Sequence, residues 1–200
     1  MKAARILITI AWLAIAGHAL ADDFTIADFS LDPGETKTIS IELNNPTNSY
    51  IAFEFYMTLP EGFTIPEDED GYLMAELNST RINRHVLEVS QMPDGSYHFL
   101  CYSNRNSLLK GTSGEMIAMT VKAADDIAAG TYRGNVFTQK LSDPDENKVT
   151  FDDFTFHITV AAPAPEPGHC PHGCLLGDMN QDGSISIADV MEIVKIIVGQ

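Results

Sequence analysis

Near the end of the chain, six oxygen-bearing residues stand at a spacing that suits a hard cation. Asp178, Asn180, Asp182, Ser184, Ser186 and Asp189 fall at positions 1, 3, 5, 7, 9 and 12 of one loop. Ca2+ takes roughly six to eight oxygen ligands, and this spacing wraps them around a single point. The expected shell uses the side chains of Asp178, Asn180 and Asp182, the backbone carbonyl of Ser184, and Ser186 directly or through water. Asp189 closes it with both carboxylate oxygens. Gly183 stands where the loop must turn sharply, and Ile185 is the apolar residue that pairs such a loop with a neighbour. The three aspartates repel one another, so a cation relieves the loop's own charge. A plain Asp/Gly turn has no need of this match of residue type to position.

A helix must carry the end of that loop. Ile187, Val190, Met191, Val194, Ile197 and Val198 recur at helical spacing, with Glu192 and Lys195 opposite, which predicts a helix over 187–198. Ser186 suits its N-cap, and Asp189 its first turn. No helical pattern precedes the loop, only a Cys/Pro/His/Gly segment, so this is half of an EF-hand. The stretch 177–185, read GDMNQDGSI, continues through Asp189-Val190 to Gly199 and resembles the dockerin type I repeat. The resemblance implies a calcium-dependent module that plugs secreted proteins, often polysaccharide-degrading enzymes, into multiprotein complexes. It implies a cohesin-type or other β-sandwich partner, met by Ile187, Ala188, Val194 and Lys195. Two departures stand out. The family carries two repeats where this sequence has one, and its frequent Ser-Thr contact pair is replaced by Ile187-Ala188. A lone helix this apolar needs a cover, and a homodimer through the single repeat is the expected substitute for the sister helix.

The other end of the chain reads as an export signal. Lys2 and Arg5 precede an apolar run over 6–16, and Ala19-Leu20-Ala21 supplies a small-residue cleavage site, so residues 1–21 are expected to be a signal peptide. That run is too short to span a bilayer, and nothing later approaches spanning length. Without a Cys after the cleavage site, a lipid anchor is not expected, which leaves a secreted or periplasmic protein. The formal net charge is −16, and loss of Lys2 and Arg5 takes it to −18. Such a surface repels nucleic acid and anionic lipid. Cleavage also removes Trp12, the single tryptophan.

Between these ends the pattern is β. Strands are expected over 24–31, 38–44, 50–59, 72–77, 85–90, 97–103, 115–123, 131–139 and 149–160. In 50–59, Ile51, Phe53, Phe55, Met57 and Leu59 alternate with Glu54, Tyr56 and Thr58, as in a strand buried on one face. Turns are marked by Pro33-Gly34, Pro93-Asp94-Gly95 and Asp143-Pro144-Asp145. Eight or nine short strands so punctuated predict an antiparallel β-sandwich of Ig or jelly-roll type over 22–161. Asn44-Asn45-Pro46, the stretch 111–121 (GTSGEMIAMTV) and Ala129-Gly130-Thr131-Tyr132 resemble the cohesin-like and carbohydrate-binding β-sandwich superfamily. A linker over 162–176 then leads to the calcium module at 177–200. It opens with a Pro/Ala spacer and ends in His169-Cys170-Pro171-His172-Gly173-Cys174. Four zinc ligands within six residues crowd a tetrahedral site, so a Cys170–Cys174 disulfide is expected instead. Cys101, inside a strand, reads as a buried thiol.

No nucleophile–base pair, phosphate loop or histidine-rich ligand set occurs in 22–161. The carboxylates at 67–70, 125–126, 143–146 and 152–153 border strands or turns and read as solvated loops rather than a glycosidase pair. The expected function is a secreted, non-catalytic, calcium-binding interaction protein that assembles with a polysaccharide-degrading or cell-surface complex. The alternative is a carbohydrate-binding module tethered by a dockerin, with polysaccharide met by Tyr56, Tyr72, Tyr97, Tyr102 or Tyr132. Loss of Trp12 speaks against a flat cellulose-type platform.

Overall fold

The computed structural model describes residues 22–162, 177–179 and 184–198. The expected signal peptide, most of the expected linker, Cys170 and Cys174, Asn180, Asp182 and Gly183 lie outside the described residues. No described helix is long and apolar enough to cross a membrane.

Two sheets pack face to face. The first holds β1 (Asp23–Ile26), β3 (Thr36–Asn44) and β9 (Glu115–Ala123), with β5 (Phe63–Thr64) and β6 (Ala75–Leu77) both paired to β9. The second runs β2 (Phe29–Leu31), β12 (Phe154–Val160), β10 (Gly130–Ser142), β4 (Ala52–Thr58), β8 (Tyr97–Ser103), β7 (His85–Gln91), with β11 (Lys148–Phe151) also paired to β10. Alternation sends one side of each strand inward. Phe53, Phe55 and Met57 of β4 meet Phe99 and Cys101 of β8 and Phe24 of β1 in a dry core. Phe55 and Phe99 stack with centroids 4.7 Å apart, and Phe24 meets Phe53 edge-on at 5.2 Å. Cys101 is fully buried as expected, and burial pushes its thiol up to about 12.

Four expectations need correction. The stretch 24–31 is two strands, because the chain leaves one sheet at Ala27-Asp28 and enters the other. Its second half, β2, lies parallel to β12, so the sandwich is not wholly antiparallel. The stretch 149–160 also divides, with Asp152-Asp153 as the corner between β11 and β12. The expected strand over 72–77 shrinks to β6, preceded by a hairpin closed by a Glu67–Leu73 bridge. Periodicity follows one face of a strand and cannot tell when the strand changes sheets.

The weak motifs at Asn45 and 111–114 converge on one residue that the sequence left unmarked. Arg81 is only 5% exposed, and among the described residues it forms no ion pair. Its guanidinium donates to the carbonyls of Leu43, Lys110 and Gly114 and to Asn45 Oδ1. Burial holds its pKa below the usual value. A planar fork of five donors suits a cage of carbonyls better than an ammonium does. Gly111 lies against this side chain, where a Cβ would stand 3.3 Å from Arg81 Nε, and its φ of 71° is left-handed.

Candidate interaction surface and calcium loop

The helix α1 (Ile187–Val198) matches the predicted span. Its start is locked reciprocally. Ala188 N donates to Ser186 Oγ (3.1 Å), while Ser186 N donates to Asp189 Oδ2 (2.7 Å), which is a capping box with aspartate in the third position. The other oxygen, Asp189 Oδ1, accepts from Met179 N (2.8 Å) and so ties the loop's entry to its exit. Asp178 and Asp189 are 7% and 1% exposed. Two carboxylates are thus withdrawn from water where the spacing calls for ligands. This donor set fits Ca2+. Among the described residues no group of three or more His, Cys, Asp or Glu could hold a metal, and Asn180 and Asp182 fall outside that set.

Of the expected partner-contacting residues, Ile187 and Val194 are exposed, and Ala188 is exposed beside them. Lys195 pairs with Glu192 one turn back, Nζ to Oε1 2.6 Å. The apolar side chains of α1 are between 40% and 81% exposed, and Asp189 is the one buried residue of the helix.

The sandwich offers a different surface, the outward face of β7, β8, β4 and β10. Register sets two rows of side chains across it. Ser90, His98, Tyr56 and Phe137 form one, and Glu88, Leu100, Glu54 and Lys140 the other. In the first row His98 stacks on Tyr56 (4.5 Å) and Tyr56 on Phe137 (5.8 Å). In the second, Lys140 Nζ lies 2.8 Å from Glu54 Oε1, and His98 Nε2 approaches Glu54 Oε2 at 3.6 Å. The Lys140 hydrogen bond, assisted by the positive charge, holds the Glu54 carboxyl below its usual range. Tyr102 donates to Glu88 Oε1 at 2.7 Å. A hollow of about 140 Å3 opens between Glu54, Leu100, Lys140 and Lys148.

A bulge in β10 makes both rows possible. Phe137 and Lys140 are three apart, so a regular strand would point them to opposite faces. Between them the pairing with β4 shifts, so both side chains emerge on one face. Thr138 takes a left-handed φ of 55°, and its amide donates to Asp153 Oδ1 (2.9 Å). Gln139 turns inward and donates to Asp152 O. Alternation in 50–59 already marked Glu54 and Tyr56 as outward. His98, Leu100, Phe137 and Lys140 went unmarked, although the alternation of 97–103 would have placed His98 and Leu100 outward.

The five candidate tyrosines separate by environment. Tyr97 is core, and its hydroxyl accepts from Ile65 N at 3.2 Å. Tyr132 donates to Ala128 O at 2.7 Å and packs on Phe63. Tyr56 and Tyr102 belong to the outward face, and Tyr72 stands alone, 72% exposed. The acidic clusters prove to be turn builders. Asp68 Oδ1 accepts from the amides of Asp70 and Tyr72, and Asp143 Oδ1 from those of Asp145 and Asn147. His157 points outward and meets Asp28 at 3.3 Å.

No protein-family model and no curated protein sequence matches the chain. Among solved structures, the chain is similar to the seventh ScaB type I cohesin from Pseudobacteroides cellulosolvens (TM-score 0.58, 18% identity), covering 70% or more of this chain and 96% of that one. The covered share of this chain there is 74%. It is also similar to a type I cohesin–dockerin complex from Clostridium thermocellum (TM-score 0.58, 14% identity, 70% of this chain and 99% of that one). A third likeness is to the sixth cohesin of Acetivibrio cellulolyticus scaffoldin B, solved with a Cel5 dockerin (TM-score 0.57, 12% identity, 70% and 99%). At these identities the likeness establishes the fold: a mainly β sandwich with the architecture of cohesin modules.

Proposed function

We propose that this chain is a secreted, non-catalytic assembly protein whose sandwich receives a dockerin-type module and whose C-terminal loop binds calcium. One observation carries the first half: a cohesin-fold sandwich presents two ordered rows of aromatic, aliphatic and paired charged side chains on one open sheet face. Such a face has the makings of an interface core, with stacked rings at the centre and charges that set register around them. It contains no nucleophile–base arrangement. The partner is therefore a dockerin-type module, which corrects the cohesin-type domain suggested by the C-terminal motif. Two of the three solved relatives above were crystallised with dockerins.

The second half rests on the loop spacing and on the two withdrawn carboxylates, Asp178 and Asp189. Asn180, Asp182, Ser184 and Ser186 complete the proposed shell. Calcium would neutralise the loop and fix the entry to α1.

Titration calorimetry of the chain against a panel of dockerin modules, with calcium present, tests the sandwich reading. At least one module should bind, and Tyr56→Ala should weaken it about thirtyfold or more, the loss expected of a central aromatic anchor. Binding by no module, or equal affinity in Tyr56→Ala and wild type, would reject this face.

A further inference from the structure

Tyr72 is the most exposed aromatic residue of the described sandwich, at 72%. It does not sit on a loose loop. Its amide donates to Asp68 Oδ1 (2.9 Å) and its carbonyl accepts from Asp68 N (2.8 Å), across a tight turn in which Gly71 has a φ of 83°. Immediately after it, Met74 N donates to Pro66 O (2.8 Å), and Met74 O accepts from Thr120 N (2.9 Å). A large ring is thus held out to solvent on a fixed backbone, so little freedom remains to be lost when something stacks on it.

Tyr72, Leu73 and Ala75 line two open clefts at once and so form the ridge between them. One, of about 410 Å3, is lined by Thr38, Asp68, Met74, Glu76 and Thr120. The other, of about 430 Å3, is lined by Leu87, Glu88, Ser90, His98 and Leu100. Each has the size of a small-ligand site. Their polar groups are carboxylates, hydroxyls and the His98 imidazole, all able to hydrogen-bond sugar hydroxyls. No Lys or Arg lines either cleft. With a formal charge of −16 on the whole chain, that lining disfavours uronate, sulfate or phosphate groups.

We infer that Tyr72 is the stacking platform of a glycan site that takes an isolated, uncharged polysaccharide chain laid across the ridge from one cleft to the other. A single rigid ring flanked by hollows suits a soluble chain with its rings free on both sides. A crystalline sugar surface would need several coplanar rings, and Tyr72 has none beside it. This site is centred on the 67–77 hairpin rather than on Tyr56, so it adds a second kind of ligand to the protein-binding face. His98 and Leu100 border both surfaces.

Affinity electrophoresis of the full secreted chain in gels containing soluble xylan, mixed-linkage β-glucan or glucomannan tests this, with polygalacturonate as the charged counterpart. At least one neutral polymer should retard the chain and polygalacturonate should not. Tyr72→Ala should weaken retention about tenfold or more, and Tyr72→Phe should keep most of it because the ring face remains. An exposed side chain can be truncated without unfolding, and unchanged thermal melts of Tyr72→Ala would verify that. Retardation by none of the three neutral polymers overturns the site, as does Tyr72→Ala running like wild type. If Tyr72→Ala keeps glycan retention but loses affinity for a dockerin module, the ridge is a protein contact and the inference is wrong.

Discussion

The sandwich and the C-terminal loop–helix handle their apolar side chains in opposite ways. The sandwich turns Phe24, Phe53, Phe55, Phe99, Phe156 and their neighbours into a core with almost no exposure. In α1 the single buried side chain is a carboxylate, Asp189, while Ile187, Val190, Met191, Val194, Ile196, Ile197 and Val198 remain open to solvent. Burying a side chain of that size is worth roughly 1.5–3 kcal/mol, so the sandwich supplies its own stability and the loop–helix must obtain it elsewhere. A helix of twelve residues, rich in β-branched Ile and Val, is marginal in water. The difference separates a sandwich with a core of its own from a helix that has none among the described residues.

The largest expected effect breaks the sandwich alone. Arg81→Ala leaves the carbonyls of Leu43, Lys110 and Gly114 without their donor in a buried place, at a cost of about 3–5 kcal/mol. Chemical denaturation should reveal the loss, while calcium titration of the same variant should match wild type. A variant as stable as wild type would mean that the cage is not what holds 110–114 against β3.

Calcium should do the converse. At free calcium about a hundredfold above its Kd, the loop–helix gains about 2.7 kcal/mol and the sandwich none. EDTA should therefore remove the helical circular dichroism of α1 and leave the sandwich's thermal transition in place. Asp178→Ala combined with Asp182→Ala should reproduce EDTA. In calcium, sedimentation at rising protein concentration should show self-association through the apolar face of α1. A monomer throughout, with the helix formed, would reject the homodimer.

The smallest effect is acid sensitivity, and it belongs to the sandwich. Asp22 is partly buried, which opposes ionisation, but hydrogen bonds from Tyr50, Asn48 and Thr47 outweigh that and hold its carboxyl below 3.8. Lys140 does the same for Glu54, from an ordinary value of 4.5. A carboxylate depressed by folding contributes stability above its unfolded pKa and loses that contribution as pH falls through the folded one. The part of stability that these two carboxylates supply should thus be flat near neutrality and start to fall below about pH 4.5, while His85, lowered from 6.5 by burial, adds a decline that starts near pH 6.5. Asp22→Asn should flatten part of the acid limb, and an unchanged limb would show that this latch carries no pH dependence.

How much was legible depended on how far apart the cooperating residues lie. The strands 97–103 and 115–123 and the helix 187–198 were found at their observed limits, because each shows its period within a few consecutive residues. The reading missed the sheet change at Ala27-Asp28 and the corner at Asp152-Asp153, where the apolar rhythm continues although the pairing partner changes. It also missed Arg81, whose four acceptors come from two distant stretches of chain, 43–45 and 110–114.

The spacing of the oxygen-bearing residues in 178–189, the limits and apolar excess of α1, and the inward side of β4 all follow from the order of residues along the chain. These are properties of neighbours along the chain, fixed by a turn of 3.6 residues or a pleat of two. Only the tertiary structure decided that Lys140 meets Glu54 across 86 positions, that His98 stacks on Tyr56, and that a bulge brings Phe137 and Lys140 to one face. Such meetings depend on strand order and register. Those are set by the packing of the whole sandwich, since a slip of one residue would turn every outward side chain into the core.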